Sequence, residues 1–277
     1  MVISFTSLPA LPLRNYIKWY CLREIDTGNA ELIKPLFADD ESILALALTD
    51  TPVLYNTEGI SRWVDLRDRH LFGPQTVFNG YQIFKGKYKL LCIEFIPGGF
   101  YSLFNVPMSY IRNQLWSFDD VIGQNMVNWN DQLAGLNQFS DIVRNVDSFF
   151  LQQLIRKQTT PKYSKQVAWA CHQLCGNYNG EINQLARTLN MSLRNFEQQF
   201  TEQVGMPPVL LRRVKRFQKA VAMKLRNPNL PWTSIAYDCN YYDQMHLIRD
   251  FKIFSSLSPS AAFRQMPPPV EKFVKID

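Results

Sequence analysis

Histidine is scarce in this sequence, with three residues among 277, and only His70 lies in the first 160 positions. A catalytic metal ion needs several imidazole, carboxylate or thiolate ligands that converge on one point. A single histidine does not supply such a set, so we expect no metal site in the N-terminal half and no cofactor in the chain. His172 and His246, in the other half, are expected to have structural roles.

Long apolar runs are also missing. No stretch of about 18 consecutive apolar residues occurs, which predicts that the chain does not span a membrane. The N-terminus lacks the basic start and uninterrupted apolar core of an export signal. The five cysteines are an odd number at irregular spacing, which is typical of reduced thiols and predicts a cytoplasmic protein. Cys171 and Cys175, one helical turn apart, are expected to be buried core residues and not zinc ligands.

The motifs of common enzymes are absent as well. The sequence has no phosphate-binding loop, no glycine-rich nucleotide fingerprint and no Ser/His/Asp grouping at a supporting spacing. We therefore predict that the protein is not an enzyme. A reactive thiol at Cys21 or Cys92 would instead indicate an alkyl-acceptor-like enzymatic domain, although the apolar strand pattern around Cys92 predicts an inert thiol.

The positive charge is concentrated in one segment. Residues 164–265 hold thirteen Lys and Arg against six Asp and Glu, a net charge of +7, whereas residues 1–163 hold fifteen against sixteen. A basic C-terminal domain beside a near-neutral N-terminal one predicts a polyanionic partner for the basic domain.

Short apolar runs separated by turn residues dominate the chain up to about residue 125. The runs "SILALALTDTPVLYN", "LFGPQTVFNGYQIF" and "YKLLCIEFIPGGFYSLF" predict the strands of a β-sandwich or barrel, and the glycines at 98 and 99 should end the strand through Leu90–Ile96. After these runs, apolar residues recur at helical spacing and predict a helix with one apolar face, here called the stripe. Its members are Ile142, Val146, Phe149, Phe150 and Leu154. We expect this stripe to form a homodimer contact; the alternative is that it packs on its own barrel.

The predicted fold class is α+β with two domains. The N-terminal β-barrel or sandwich domain, with helices, takes residues 1–157, and a polar linker takes 158–164. An all-α domain of seven helices takes 165–266, with Ser164 as the expected N-cap of its first helix, and 267–277 form a tail.

The basic segment contains an internal repeat with an offset of 51 residues. Each copy predicts a helix, a tight turn and a second helix, in which a small alanine lets the two helices approach closely. The matched positions are the N-caps Ser192 and Asp243, the alanines Ala186 and Ala236, the apolar Phe196 and Leu247, the phenylalanines Phe200 and Phe251, and the prolines Pro208 and Pro259.

The outward face of each second helix carries side chains that suit base edges. Gln bonds adenine, Arg bonds guanine, and Met or Ile contacts a thymine methyl group. The second copy offers Gln244, Met245, Ile248 and Arg249, and the first offers Arg194, Asn195, Glu197 and Gln198. A solvated helix face is the alternative interpretation of one such motif, but two registered copies in a domain of charge +7 favour DNA binding.

A helix of about 30 Å, from Pro207 to Arg226, is predicted to join the two copies. This length is close to the roughly 34 Å of one DNA turn, so both reading helices could enter successive segments of the major groove. Five basic residues follow one another along it: Arg212, Arg213, Lys215, Arg216 and Lys219. Phosphate contact is expected for them, while at least one arginine could instead brace the two halves of the domain.

The segments "INQLARTLNMSLRNFEQQFTEQVGMPP" and "IAYDCNYYDQMHLIRDFKIFSSLSPSAAF" resemble the two helix-turn-helix units of AraC/XylS-family transcription regulators, over about 180–263. Departures from the usual pattern are Met245 for serine, Asn240 and Ser256 for glycine, and Gln198 for a basic residue. The resemblance places Arg194, Glu197 and Gln198 at reading positions of the first unit, and Gln244, Met245 and Arg249 at those of the second.

The N-terminal half resembles, through "LFGPQT", "IEFIPGGFYSLFNVP" and "FDDVIG", the β-rich sensory domain attached to a subset of these regulators. The resemblance implies a cupin-like barrel for effector sensing or dimerisation. The expected function is therefore sequence-specific transcriptional regulation on double-stranded DNA, with a small-molecule effector and RNA polymerase as further possible partners. A second hypothesis is a DNA-binding module fused to an enzymatic, alkyl-acceptor-like N-terminal domain. A third is a ligand-independent architectural DNA binder.

Overall fold

The computed structural model describes residues 1–57, 60–65, 69–123, 126, 128–156, 164–176, 178 and 180–265. The N-terminal domain is built on antiparallel strands: β1 (Val2–Ser7), β2 (Ile17–Asp26), β3 (Leu32–Pro35), β4 (Ser42–Ala47), β5 (Val53–Thr57), β6 (Ile60–Val64), β7 (His70–Phe72), β8 (Tyr81–Phe84), β9 (Lys87–Phe95) and β10 (Leu115–Ser117). The predicted β-rich domain is thereby confirmed.

These strands form two sheets, in the orders β1-β2-β9-β4-β7-β10 and β3-β8-β5-β6. One face of the larger sheet packs on the smaller sheet, around Val53, Tyr55 and Phe84. Its other face packs on helices. Strand β9 is buried on both faces from Leu90 onward, with Leu90 on the side of the smaller sheet and Leu91 on the side of the helices, which agrees with its apolar run Leu90–Ile93.

Helices of the N-terminal domain follow β9: α1 (Gly99–Phe104), α2 (Met108–Ile111), α3 (Phe118–Ile122), α4 (Trp129–Ala134) and α5 (Phe139–Arg156). Strand β9 ends at Phe95, before the glycines, as predicted. The run "FYSLF" that follows them is not a strand. Gly98, with a φ of 78°, reverses the chain in a left-handed conformation that favours glycine, and α1 then starts at Gly99.

The apolar stripe of α5 faces its own domain, which corrects the predicted dimer contact. Ile142, Val146 and Phe150 are fully or almost fully buried in the core between the larger sheet and the helices, and Phe149 and Leu154 pack against that core. The ring of Phe150 lies edge-on to Phe95 of β9, with centroids 5.7 Å apart. The stripe is therefore already covered, and its apolarity carries no information about a second copy.

The C-terminal domain is all-α, as predicted, with seven helices among its described residues (164–176, 178 and 180–265). They are α6 (Ser164–Cys175), α7 (Ile182–Thr188), α8 (Leu193–Val204), α9 (Pro208–Arg226), α10 (Trp232–Asp238), α11 (Gln244–Ser255) and α12 (Pro259–Gln265). The predicted linker 158–164, except for Ser164 at the start of α6, and the tail 267–277 lie outside the described residues. In the described ranges, no helix has the length and apolarity to cross a membrane.

Candidate functional site

Two helix-turn-helix units share one turn geometry. We call α7 with α8 the first unit and α10 with α11 the second. In the first, the N–H of Met191 donates to the carbonyl of Ala186, and in the second the N–H of Tyr241 donates to that of Ala236, both over 2.9 Å. Asn190 and Asn240 turn the chain with φ values of 54° and 58°. Asparagine tolerates this left-handed conformation, which explains why Asn240 replaces the usual glycine.

The reading helices α8 and α11 start and pack in the same way. The Ser192 side chain accepts from the N–H of Asn195 over 3.3 Å, and that of Asp243 accepts from the N–H of His246 over 2.6 Å. Such caps satisfy amide groups that have no partner within the helix. The predicted inward residues are all fully buried: Phe196, Phe200, Leu247 and Phe251. The opposite face of each helix is thereby turned outward.

On the second unit, Gln244, Met245 and Arg249 are exposed and Ile248 is half-buried. Met245 keeps 56% of its surface accessible. Arg249 forms no hydrogen bond or ion pair with the described part of the protein. An amide, a thioether and an uncompensated guanidinium therefore stand together on one exposed helix face.

The corresponding face of the first unit is less exposed to solvent than that of the second. Arg194 and Gln198 are exposed, whereas Asn195 and Glu197 are half-buried. Helix α8 contacts α1 and α2 of the N-terminal domain, and the Tyr101 hydroxyl donates to Glu202 over 3.0 Å. Glu197 and Gln198 line one side of a 900 Å³ groove whose other side is formed by residues of α2 and the turn before it, among them Pro107, Ser109 and Tyr110.

Gly205, at the end of α8, explains how closely the domains approach. Its φ is 86°, and a Cβ atom there would lie 2.6 Å from the Pro74 ring and 3.1 Å from the Met108 carbonyl. Any other residue would push the N-terminal domain away. The matching position of the second unit, Ser256, also has a positive φ, of 62°. Ser256 is exposed, so this position tolerates a side chain where the position of Gly205, packed against the N-terminal domain, does not.

The arginines predicted to contact phosphate along α9 bond to their own domain. Arg212 donates to the Gly180 carbonyl over 2.9 Å. Arg213 donates twice to the fully buried Asp250 of α11, over 2.7 and 3.1 Å. Arg216 donates to the Asn240 carbonyl and lies 3.8 Å from Asp250.

The two lysines of the run also have partners, Lys219 with the Asp238 carbonyl and Lys215 with Asp40. The basic run therefore bonds to the segment before α7, to the turn and reading helix of the second unit, and to the N-terminal domain. The prediction that one arginine braces the halves agrees with this geometry, whereas three arginines free for phosphate do not.

The comparisons with known proteins agree with the two-unit geometry. A family model described as "Helix-turn-helix domain" matches residues 185–265, from within α7 to the end of α12. Residues 185–265 are a helix-turn-helix domain of the AraC type, and the chain is a DNA-binding transcriptional regulator. Such proteins regulate transcription and are not enzymes. A second model, described as a domain of unknown function (DUF6597), matches residues 6–117. No curated protein is similar in sequence.

Several solved structures match most of this chain at low sequence identity. An apo form of ToxT from Vibrio cholerae is 12% identical, with a TM-score of 0.47, and the match covers 90% of this chain and 98% of ToxT. ToxT with a bound unsaturated fatty acid is 11% identical (TM-score 0.43, coverage 96% and 95%). The AraC-like transcriptional activator CuxR is 8% identical (0.29, 90% and 80%). At these values the superpositions carry no information about individual residues.

A short segment of the N-terminal domain, residues 36–41, makes contacts with the DNA-binding domain. Ala38 donates its N–H to the Phe254 carbonyl of α11 over 3.0 Å. Asp40, fully buried, lies 2.7 Å from the Lys215 ammonium of α9. Burial raises the pKa of the Asp40 carboxyl, and the lysine opposes this rise. The side chain of Asp39 accepts from Gln218 of α9 over 3.0 Å.

Residues of the same segment line a cavity of about 250 Å³ between the two sheets. Its wall is largely apolar, with Tyr55, Phe72, Phe84 and Leu90 among the lining residues. Arg23 and Lys34 add two cations on one part of the wall, and the carboxyl groups of Asp39 and Glu41 also line the cavity. Arg23 lies 3.5 Å from Glu94. Burial lowers the pKa of Lys34 to about 8, and the neighbouring Arg23 adds to this.

Arg23 and Lys34 were not among the candidate site residues that the sequence indicated. A signal was present, because Arg23 interrupts the apolar strand "WYCLREI".

The remaining candidates from the sequence are the thiols and histidines. Cys21 and Cys92 lie opposite each other on β2 and β9, and burial raises the pKa of both thiols. Cys171 is buried as predicted, whereas Cys175 is exposed because it lies at the end of α6. Among the described residues, no group of three or more His, Cys, Asp or Glu side chains could hold a metal ion.

Proposed function

We propose that one chain binds a long operator with α8 and α11 in successive segments of the major groove on one face of the DNA. The observation that carries this proposal is the shared turn geometry of the two units across the 19-residue α9. That helix is about 28 Å long, close to the roughly 34 Å of one DNA turn. Rigid spacing of this kind favours an asymmetric site with segments about 10 bp apart.

We propose that the second unit contributes most of the sequence discrimination. Gln244 and Arg249 present donors and acceptors that suit adenine and guanine, and Met245 and Ile248 suit a thymine methyl group. The first unit offers Arg194, Asn195, Glu197 and Gln198. Glu197 repels phosphate, although its carboxylate could accept from cytosine, and this face borders the groove against α2.

For the α9 residues Arg212, Arg213 and Arg216 we propose a supporting role in place of direct phosphate contact. Their hydrogen bonds to Gly180, Asp250 and Asn240 hold the two units at a fixed separation. They influence DNA affinity through that geometry.

Selection of bound sequences from random DNA, followed by footprinting of the full chain on the selected site, tests the operator proposal. We expect protection of two groove segments centred about 10 bp apart, with base changes under α11 weakening binding more than those under α8. Protection of one segment only would contradict the spacing, and equal or reversed sensitivity would contradict the ranking.

We propose further that the cavity between the sheets binds a small effector with an acidic group and an apolar body. Arg23 and Lys34 suit the acid, and the aromatic and aliphatic wall suits the body. Segment 36–41 would report occupancy, because it lines the cavity and also contacts α9 and α11.

The fluorescent aromatic sulfonate 1-anilinonaphthalene-8-sulfonate is a suitable probe for this cavity. We expect Lys34→Met to weaken its binding at least fivefold, about 1 kcal/mol, while Lys87→Met, at a largely exposed lysine of β9, leaves it unchanged. Equal binding by the two variants would place the probe elsewhere.

Other parts of the proposed function rest on the regulator assignment alone. We propose a cytoplasmic protein that contacts RNA polymerase at its promoter, that performs no enzymatic reaction and that binds no cofactor. The buried thiols of Cys21 and Cys92 favour this view over the alkyl-acceptor alternative, because a raised pKa keeps a thiol protonated and weakly nucleophilic. Dimerisation stays a proposal without a mapped surface.

A further inference from the structure

The two units differ by one inserted residue at the start of the second reading helix. Their turns match with an offset of 50: Met191 and Tyr241 make equivalent hydrogen bonds to the paired alanines. Their caps match with an offset of 51, at Ser192 and Asp243. One residue between Tyr241 and Asp243 therefore has no counterpart in the first unit, and this residue is Tyr242.

The inserted tyrosine is turned to solvent. Tyr241 is 6% exposed and takes the buried place of Met191, whereas Tyr242 is 93% exposed. Within the described residues, no hydrogen bond, ion pair or ring contact involves Tyr242. The side chain therefore contributes little to the fold. A wholly exposed aromatic ring is the kind of surface that a binding partner covers, because it offers a large apolar area at a small cost in conformational entropy.

Its position indicates what covers it. Tyr242 directly precedes Asp243, the N-cap of α11, and the exposed Gln244 and Met245 follow. In helix-turn-helix proteins the N-terminal residues of the reading helix enter the major groove, so the residue before the cap lies at the rim of the groove, next to the phosphate backbone. A phenol suits that place, since its hydroxyl donates to a phosphate oxygen and its ring packs on deoxyribose.

We propose that Tyr242 is a DNA-contacting residue of the second unit that anchors the N-terminal end of α11 to the operator backbone. This inference rests on the proposed DNA-binding function and adds a residue that the first unit has no means to match. It also gives a physical reason for the second unit to dominate, because the contact is available to α11 and not to α8.

Binding of the full chain to its selected operator, measured by fluorescence anisotropy at several salt concentrations, tests the proposal. We expect Tyr242→Ala to weaken binding about 5- to 30-fold, and Tyr242→Phe, which keeps the ring, to weaken it about 2- to 5-fold. The slope of affinity against salt should stay that of the wild type, because a neutral phenol displaces no counterion. Ethylation of one phosphate beside the α11 segment should interfere with the wild type and not with Tyr242→Ala.

Trp63→Ala is the matched control, since Trp63 of β6 is an exposed aromatic residue, 64% accessible, in the N-terminal domain. We expect it to bind as the wild type does, and we expect all three variants to keep the wild-type melting temperature. If Tyr242→Ala binds the operator within about twofold of the wild type, the inference is wrong while the operator proposal stands. A wild-type chain that selects no sequence would instead contradict the operator proposal itself.

Discussion

The ion pair between α9 and α11 should be a main support of the DNA-binding domain. Asp250 is fully buried, and its carboxylate accepts two hydrogen bonds from Arg213, while Arg216 lies 3.8 Å away on the other oxygen. We therefore predict that Asp250→Asn destabilises the domain, because the amide keeps the size of the side chain but removes the charge that balances two guanidinium groups.

The expected magnitude follows from the exposure of the partners. Removing one member of a fully buried ion pair costs about 3–5 kcal/mol. The side chains of Arg213 and Arg216 keep 31% and 22% of their surface accessible, so water solvates them in part once the carboxylate is gone. We expect a loss of about 2–3 kcal/mol, which corresponds to a fall of about 4–12 °C in the melting temperature.

Differential scanning fluorimetry of the full chain measures this fall, and Asp238→Asn is the matched control because Asp238 is an exposed acid on α10. The double variant Asp250→Asn, Arg213→Gln should lose at least 1 kcal/mol less than the sum of its single variants, since both remove the same interaction. If Asp250→Asn melts within about 2 °C of the control, α9 and α11 are held by apolar packing alone and the bracing role of the α9 arginines is refuted.

Three further predictions concern DNA contact, the cavity and the α5 stripe. Arg249→Ala should cost about 1–3 kcal/mol of operator affinity and relax preference at one or two base pairs; a uniform loss on all sequences with a shallower salt slope would identify a phosphate contact instead. Binding of the anionic cavity probe should weaken as the pH rises from 6 to 9, because Lys34, with a pKa of about 8, loses its positive charge over this range. Over the same range Asp39 gains a negative charge, since burial, with Glu41 adding to the effect, raises its pKa to about 8. Probe binding that does not change with pH would disprove this. Phe149→Asp should lower the melting temperature without changing the sedimentation coefficient of the folded fraction, since the Phe149 ring packs 4.8 Å from that of Trp129 in the same domain. A stable variant that sediments as a smaller species than the wild type would instead support the stripe as a dimer interface.

Features that depend on neighbours along the chain could be predicted from the sequence. Helix starts at Ser192 and Asp243, the buried positions four and eight residues later, and the all-α character of the basic segment follow from caps and helical period. These signals act within one or two helical turns, so one sequence is enough to interpret them. The same holds for the end of β9 before Gly98.

What each surface contacts depended instead on the tertiary structure. Arg213 and Asp250 are 37 residues apart, and Lys215 and Asp40 belong to different domains, so no spacing rule marks them as partners. A basic run looks the same in sequence whether it binds phosphate or braces a fold. The stripe containing Phe149 was likewise ambiguous, because an apolar helix face needs a partner surface and its sequence does not specify which one. Pairing over such distances depends on how the whole chain packs, and that information lies only in the folded structure.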